Sequence, residues 1–189
     1  MKKLLIIGYV WPEPNSSAAG SRMMQLINFF QQQNYQITFT SPAQRTEHMV
    51  ELNDFQVNCV DIKLNCSSFY DFAKQLQPDV VMFDRFMMEE QFGWRISEQC
   101  PQALKILDTE DLFCLRHARH EAFKQQRAMT EADLLSSELA QREVAAILRC
   151  DLSLMISPKE ITLLATLFKV DANLLHYCPL LYSPADFSM

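Results

Sequence analysis

Three short polar stretches interrupt an otherwise apolar sequence, and each follows directly on a hydrophobic run. The first, Asn15-Ser16-Ser17-Ala18-Ala19-Gly20-Ser21-Arg22, separates KKLLIIGYV from MMQLINFF. The second is Asp84-Arg85, after VVMF, and the third is Asp108-Thr109-Glu110-Asp111, after ALKIL. Ser16 or Ser17 is suited to cap a helix whose first backbone N–H groups, left open among small side chains, attract an anion or a hydroxyl. Gly20 permits close approach to that helix, and Arg22 brings a permanent charge suited to phosphate or carboxylate. A plain helix cap explains the same residues, with Pro12 and Pro14 stiffening the loop and Gly20 serving helix–sheet packing. On the residues alone the two readings stand level.

The acidic stretches carry the same double reading. Asp84-Arg85 fits a strand-end ion pair that orders its loop, worth about 0–1 kcal/mol at a surface. Asp108 and Glu110 can hydrogen-bond hydroxyl groups, or one can act as a general base, while Asp111 is read as a cap for the helix that follows. His117 and His120 beside Glu121 have the types of a metal site. With no third ligand indicated, they read as a solvated basic face with Arg116 and Arg119, and no metal is expected. The methionine pairs at 23–24 and 87–88 read as core filler.

The totals exclude several classes. A net charge of −6 argues against a duplex nucleic-acid binder, which needs a basic surface. The six cysteines show no C-x-x-C and sit among apolar neighbours, as expected of reduced thiols in a cytoplasmic protein. The apolar run behind Met1-Lys2-Lys3 is short and is broken by Trp11-Pro12-Glu13-Pro14, so it reads as a buried strand and not a leader. No run reaches the roughly 18 apolar residues of a membrane span. No phosphate fingerprint of the G-x-G-x-x-G or G-K-[ST] kind is present, which disfavours an independent nucleotide-dependent enzyme.

The elements that must position these residues follow from periodicity. Strands are expected at Leu4–Val10, from Tyr35, at Gln56–Leu64, at VVMF, from Ala103 and from Asp151, with a last extended segment at Leu174–Leu181. Helices are expected from Ser21, after Ser67-Ser68, over Met87–Gln99, over Leu112–Ala128, over Glu131–Cys150 and from Pro158 to Phe168. Thr130 and Asp133 are spaced as a capping box, and Ser157-Pro158-Lys159-Glu160 reads as cap, first-turn proline and acid. The rhythm predicts one α/β Rossmann-like domain, a mostly parallel sheet of about six to seven strands with helices on both faces. Ligands of such sheets lie beyond the carboxyl ends of the strands, where all three polar stretches converge.

These pieces resemble the N-terminal, acceptor-side half of a GT-B glycosyltransferase of the group 1, family 4-like kind. KKLLIIGYVWPEPNSSAAGSRMMQLINFF with YQITFTSP is similar to that family's first strand, small-residue loop, long helix and second strand. PDVVMFDRF and ALKILDTEDL resemble the strands lining the acceptor side. CDLSLMISPKEITLL and LLHYCPLLYSPADF resemble the stretch leading out of the first domain. The sequence departs from the pattern in three ways. Ser17-Ala18-Ala19-Gly20 stands for paired glycines, the turn at Pro179-Leu180-Leu181-Tyr182 lacks Asn-Gly, and the chain stops at Met189, where the family continues into a nucleotide-sugar-binding domain.

The resemblance implies the acceptor-binding half of an enzyme of polysaccharide biosynthesis, which moves a sugar from a nucleotide sugar to a saccharide or lipid-linked acceptor. It implies no cofactor or metal, because helix N-termini and basic residues stabilise the leaving phosphate. It places Asn15 to Arg22 (Asn15, Ser16, Ser17, Gly20 and Arg22) beside acceptor and donor phosphate, and Asp84, Arg85, Asp108 and Glu110 on acceptor hydroxyls. Residues 1–189 are expected to form that one domain, inactive alone, completed by a second chain or dimerising through the face the missing domain would cover. The alternative is a non-catalytic Rossmann-like binding or dimerisation module.

Overall fold

Alternation along the two central strands sets the architecture. In β1 (Lys2–Ile7), Leu4 and Ile6 enter one apolar cluster while Leu5 and Ile7 enter another. In β4 (Val80–Asp84), Val80 and Met82 join the first cluster, Val81 and Phe83 the second. Both strands are thus buried on both faces, as a parallel sheet requires. The computed structural model describes residues 1–180. Among them, β1, β2 (Tyr35–Ser41), β3 (Asn58–Asp61), β4, β5 (Leu104–Asp108), β6 (Leu152–Met155) and β7 (Leu175–Tyr177) form one sheet in the order β3-β2-β1-β4-β5-β6-β7. Every pairing is parallel. The fold is a Rossmann-like α/β fold with the strand order that reverses direction between β1 and β4.

Right-handed crossovers decide which face each helix takes. The connection from β1 to β2 carries α1 (Ala18–Gln32), whose Met23, Leu26, Ile27 and Phe30 pack on the first cluster. From β3 onward the chain winds the other way. α2 (Ser68–Leu76), α3 (Phe86–Gln99), α4 (Phe113–Lys124), α6 (Glu138–Arg149) and α7 (Pro158–Leu167) all contribute to the second cluster. The short α5 (Glu131–Leu135) adds Leu134 to it.

Several expected boundaries move. β1 ends at Ile7, because the chain turns at Gly8, where a Cβ would overlap the Phe39 ring. Tyr9 and Val10 are consequently exposed, and Trp11 dips back to pack on Phe39 with its indole N–H on the Ala43 carbonyl at 2.9 Å. The helix expected over Glu131–Cys150 is two helices. Ser137 caps the second by accepting from the Ala140 N–H at 3.3 Å, a local bond that serine offers in competition with helix continuation. The Thr130–Asp133 capping box forms, with the Thr130 N–H on the Asp133 carboxylate at 2.7 Å. Ser157 makes no side-chain cap, although Pro158 does open α7.

The cap expected from Asp111 is supplied from elsewhere. The first N–H groups of α4 are met by carboxylates of later helices: Glu143 accepts from Phe113 (3.0 Å) and Cys114 (2.8 Å), and Glu160 from Leu112 (3.3 Å). Asp111 instead lies 3.5 Å from Arg116. The turn residues Leu181 and Tyr182 and the Asp186-Phe187 pair lie outside the described residues. No helix among those described is long and apolar enough to cross a membrane.

Candidate functional site

The reversal point of the sheet opens a crevice, because the chain leaves β1 toward β2 and leaves β4 toward β5. A cleft of about 140 Å³ occupies it, lined among others by Glu13, Ser17, Gly20, Asp84, Arg85 and Glu110. Five of the residues expected from sequence are therefore brought together: Ser17, Gly20, Asp84, Arg85 and Glu110. Beyond Ala19 and Glu110 the crevice continues into a neighbouring hollow beside Ala18, Asp111 and Ile156.

On one wall the loop before α1 folds onto its own helix. Ser17 is the cap, its hydroxyl accepting from the Gly20 N–H at 3.0 Å, and the backbone N–H groups of Ser16 and Ser17 both donate to the Glu13 carbonyl. Gly20 is required here because a Cβ would overlap the Glu13 backbone. The close approach that glycine permits is thus by the loop itself. The first-turn N–H groups of Ala18 and Ala19 have no intrahelical acceptor, and both residues line the hollow. Asn15 and Ser16 are exposed and do not line the cleft.

The other wall is built on two backbone outliers. Arg85 has φ 70° and ψ 156°, a region used almost only by glycine and costing about 1–3 kcal/mol. Its N–H still donates to the Asp108 carbonyl at 2.8 Å, so the β4–β5 ladder extends one residue before the chain turns sharply into α3. Glu110, opposite, has φ 59°. The Arg85 guanidinium bonds the Glu110 carboxylate (Nε 2.8 Å, Nη2 2.7 Å) and lies 4.9 Å over the Tyr9 ring.

Asp84 sits at the floor, 4% exposed. Its Oδ2 accepts from the Tyr9 N–H at 2.9 Å; its Oδ1 has no hydrogen-bond partner and lies 3.6 Å from Arg85 Nε. Burial pushes its carboxyl up to about 7, reinforced by the Glu110 charge and opposed by Arg85. Burial likewise raises Glu110, against the pull of Arg85.

Of the expected residues, Asp108 does not line the cleft, and Arg22 lines only the neighbouring hollow. They face each other. Arg22, 2% exposed, bonds the Asp108 carboxylate through Nε (3.0 and 3.1 Å) and Nη2 (2.8 Å), and its Nη1 donates to the Cys178 carbonyl at 2.8 Å. Asp108 is fully buried, and burial pushes its carboxyl upward against the hold of Arg22. A bidentate pair this deep locks α1 to the end of β5 and to the exit of β7. It forms the rear of the site.

Tyr9 and Glu13 are the participants that sequence reasoning missed. The one was absorbed into the apolar run and the other into the proline loop. His117 and His120 are exposed, and no group of three or more His, Cys, Asp or Glu side chains converges as a metal site among the described residues.

Fold and cleft together define a Rossmann-like domain with a polar crevice at its reversal point. Two solved structures share the fold over 95% of this chain: the lipopolysaccharide outer core galactosyltransferase WaaB in its apo form (TM-score 0.60, 13% identity) and sucrose-phosphate synthase from Thermosynechococcus elongatus (TM-score 0.61, 13% identity). The match covers 46% and 48% of those chains, so this chain spans about half their length and has the fold of one half of a GT-B glycosyltransferase. No family model matches the sequence, and no curated protein matches it.

Proposed function

We propose that the chain is the acceptor-binding half of a glycosyltransferase that moves a sugar from a nucleotide sugar to a saccharide or lipid-linked acceptor. One observation carries this: on a fold shared with half of two glycosyltransferases, the strand ends gather Asp84, Arg85, Glu110 and Ser17 around one cleft. Carboxylates and a guanidinium set around a small cleft suit a polyol, whose hydroxyls both donate and accept. The open N–H groups at the start of α1 suit an anionic group at the rim, toward the space where a donor-binding half would stand. Alone, the chain binds acceptor weakly and transfers nothing. Its six unpaired cysteines support a reducing, cytoplasmic setting, and polysaccharide biosynthesis is the process this activity would serve.

Calorimetry with a panel of saccharides and nucleotide sugars tests the reading. Weak saccharide binding that is lost in Arg85→Ala supports it. Transfer from a nucleotide sugar by the chain unaided, or micromolar nucleotide binding with no saccharide binding, overturns it.

A second reading, a non-catalytic module that associates with another chain, is favoured by one feature. The sheet face beside α1 carries no helix over β5–β7 among the described residues, leaving an apolar groove of about 420 Å³ lined by Leu26, Phe29, Ile106, Leu152 and Leu154. Sedimentation at increasing concentration distinguishes an associating chain from a monomer.

A further inference from the structure

We infer that the β1/β4 cleft takes a saccharide bearing a free amino group, with the ammonium seated on Asp84 Oδ1. The inference rests on the acceptor-side reading above and deepens it. Asp84 Oδ1 is a buried polar atom without a hydrogen-bond partner, in a side chain only 4% exposed that lines the cleft. A buried carboxyl oxygen with no hydrogen bond, met only by the Arg85 guanidinium at 3.6 Å, is costly to ionise, and an arriving cationic donor offsets that cost. A sugar hydroxyl supplies a donor but no charge, whereas an ammonium supplies both.

The charges around the cleft favour the cation. Among the described residues its acidic lining residues are Glu13, Asp84 and Glu110, and its basic one is Arg85. Arg85 is anchored by two contacts to Glu110, and the nearby Arg22, which lines the adjoining hollow, is held by Asp108 and the Cys178 and Pro179 carbonyls. Phosphate or carboxylate substituents would therefore meet a net negative wall.

The groups facing Asp84 come from every element around it. They are Glu110 and Asp108 from the end of β5, Arg85 at the start of α3, the Tyr9 N–H at the exit of β1, and Glu13 across the cleft. In that setting the Asp84 carboxyl, pushed up to about 7 by burial, is about half protonated at neutral pH. An arriving ammonium displaces that proton into solvent, so binding is accompanied by proton release.

The test is calorimetry of the full 189-residue chain with glucosamine, glucose and glucose 6-phosphate, each in two buffers of different ionisation enthalpy. Glucosamine is expected to bind about tenfold more tightly than glucose, the margin of a charge-assisted over a neutral hydrogen bond. Glucose 6-phosphate is expected to bind most weakly, and a fraction of a proton is released with glucosamine alone. In Asp84→Asn the glucosamine-to-glucose ratio falls to about one and the proton release disappears; Glu110→Gln lowers the ratio partway. Equal binding of glucose and glucosamine by the unmodified chain overturns the amine inference and leaves the acceptor-side reading standing. A preference that survives in Asp84→Asn overturns the seat on Asp84, and no binding of either sugar overturns the amine inference while the wider saccharide panel decides the acceptor-side reading.

Discussion

Replacing Asp84 by asparagine removes a charge from the floor of the cleft while keeping an oxygen to accept from the Tyr9 N–H. In the folded chain the Asp84 carboxyl titrates at about 7, against 3.8 for an unperturbed aspartate. The folded state therefore holds its proton over a range where the unfolded state has lost it, and stability falls as pH rises through that window. The difference of 7 − 3.8 is about 3 pK units, which at about 1.4 kcal/mol each amounts to about 4 kcal/mol once both states are ionised. Asparagine escapes this loss. Urea unfolding of the two proteins should give a variant about 4 kcal/mol more stable near pH 8, about 2 kcal/mol near pH 5, and equal below about pH 3. Taking the difference between the proteins cancels carboxyls that both retain, such as Glu143 and Glu160, which burial also pushes up. A gap that stays flat from pH 3 to pH 8, or a variant less stable at pH 8, would refute a buried and unrelieved Asp84.

Gly20→Ala places a methyl group in the Glu13 backbone and should lower stability by about 1–3 kcal/mol in urea unfolding; an unchanged midpoint would mean the loop does not fold onto α1. Arg22→Met strands the buried Asp108 carboxylate and should cost about 3–5 kcal/mol, whereas adding Asp108→Leu should recover most of it; equal instability of single and double variants would contradict the pairing. Among the cysteines, Cys66 should react first with iodoacetamide, since the Ser68 hydroxyl, with smaller contributions from Lys63 and Arg95, holds its thiol below the usual range. Burial pushes Cys150 up to about 12 and raises Cys114 further, so peptide mapping that finds either labelled before Cys66 would count against this packing.

Much of the architecture was legible because it depends on local pattern. Continuous apolar runs can be covered only on two faces, and their alternation with amphipathic segments leaves a parallel wound sheet as the economical solution. Strand ends then fall on one edge, so nine candidates from Asn15 to Glu110 were expected together, and five of them (Ser17, Gly20, Asp84, Arg85 and Glu110) line one cleft. A serine cap at Ser16 or Ser17, which the structure assigns to Ser17, and the Thr130–Asp133 capping box are short-range facts that neighbours along the chain reveal.

Partnership across the sequence was decided only by the tertiary structure. Arg22 and Asp108 are 86 residues apart, and nothing in either stretch says that the charge offered by one is neutralised by the other. The first turn of α4 has no side-chain cap of its own, and its N–H groups are met by Glu143 and Glu160, about 30 and 48 residues away. Gly20 was recognisable as a point of close approach, but what approaches it, the Glu13 backbone, depends on how the proline loop turns. The physical reason is common to all three. Periodicity and capping are set by neighbours along the chain, whereas the state of a buried charge depends on which distant group the packing brings within about 3 Å.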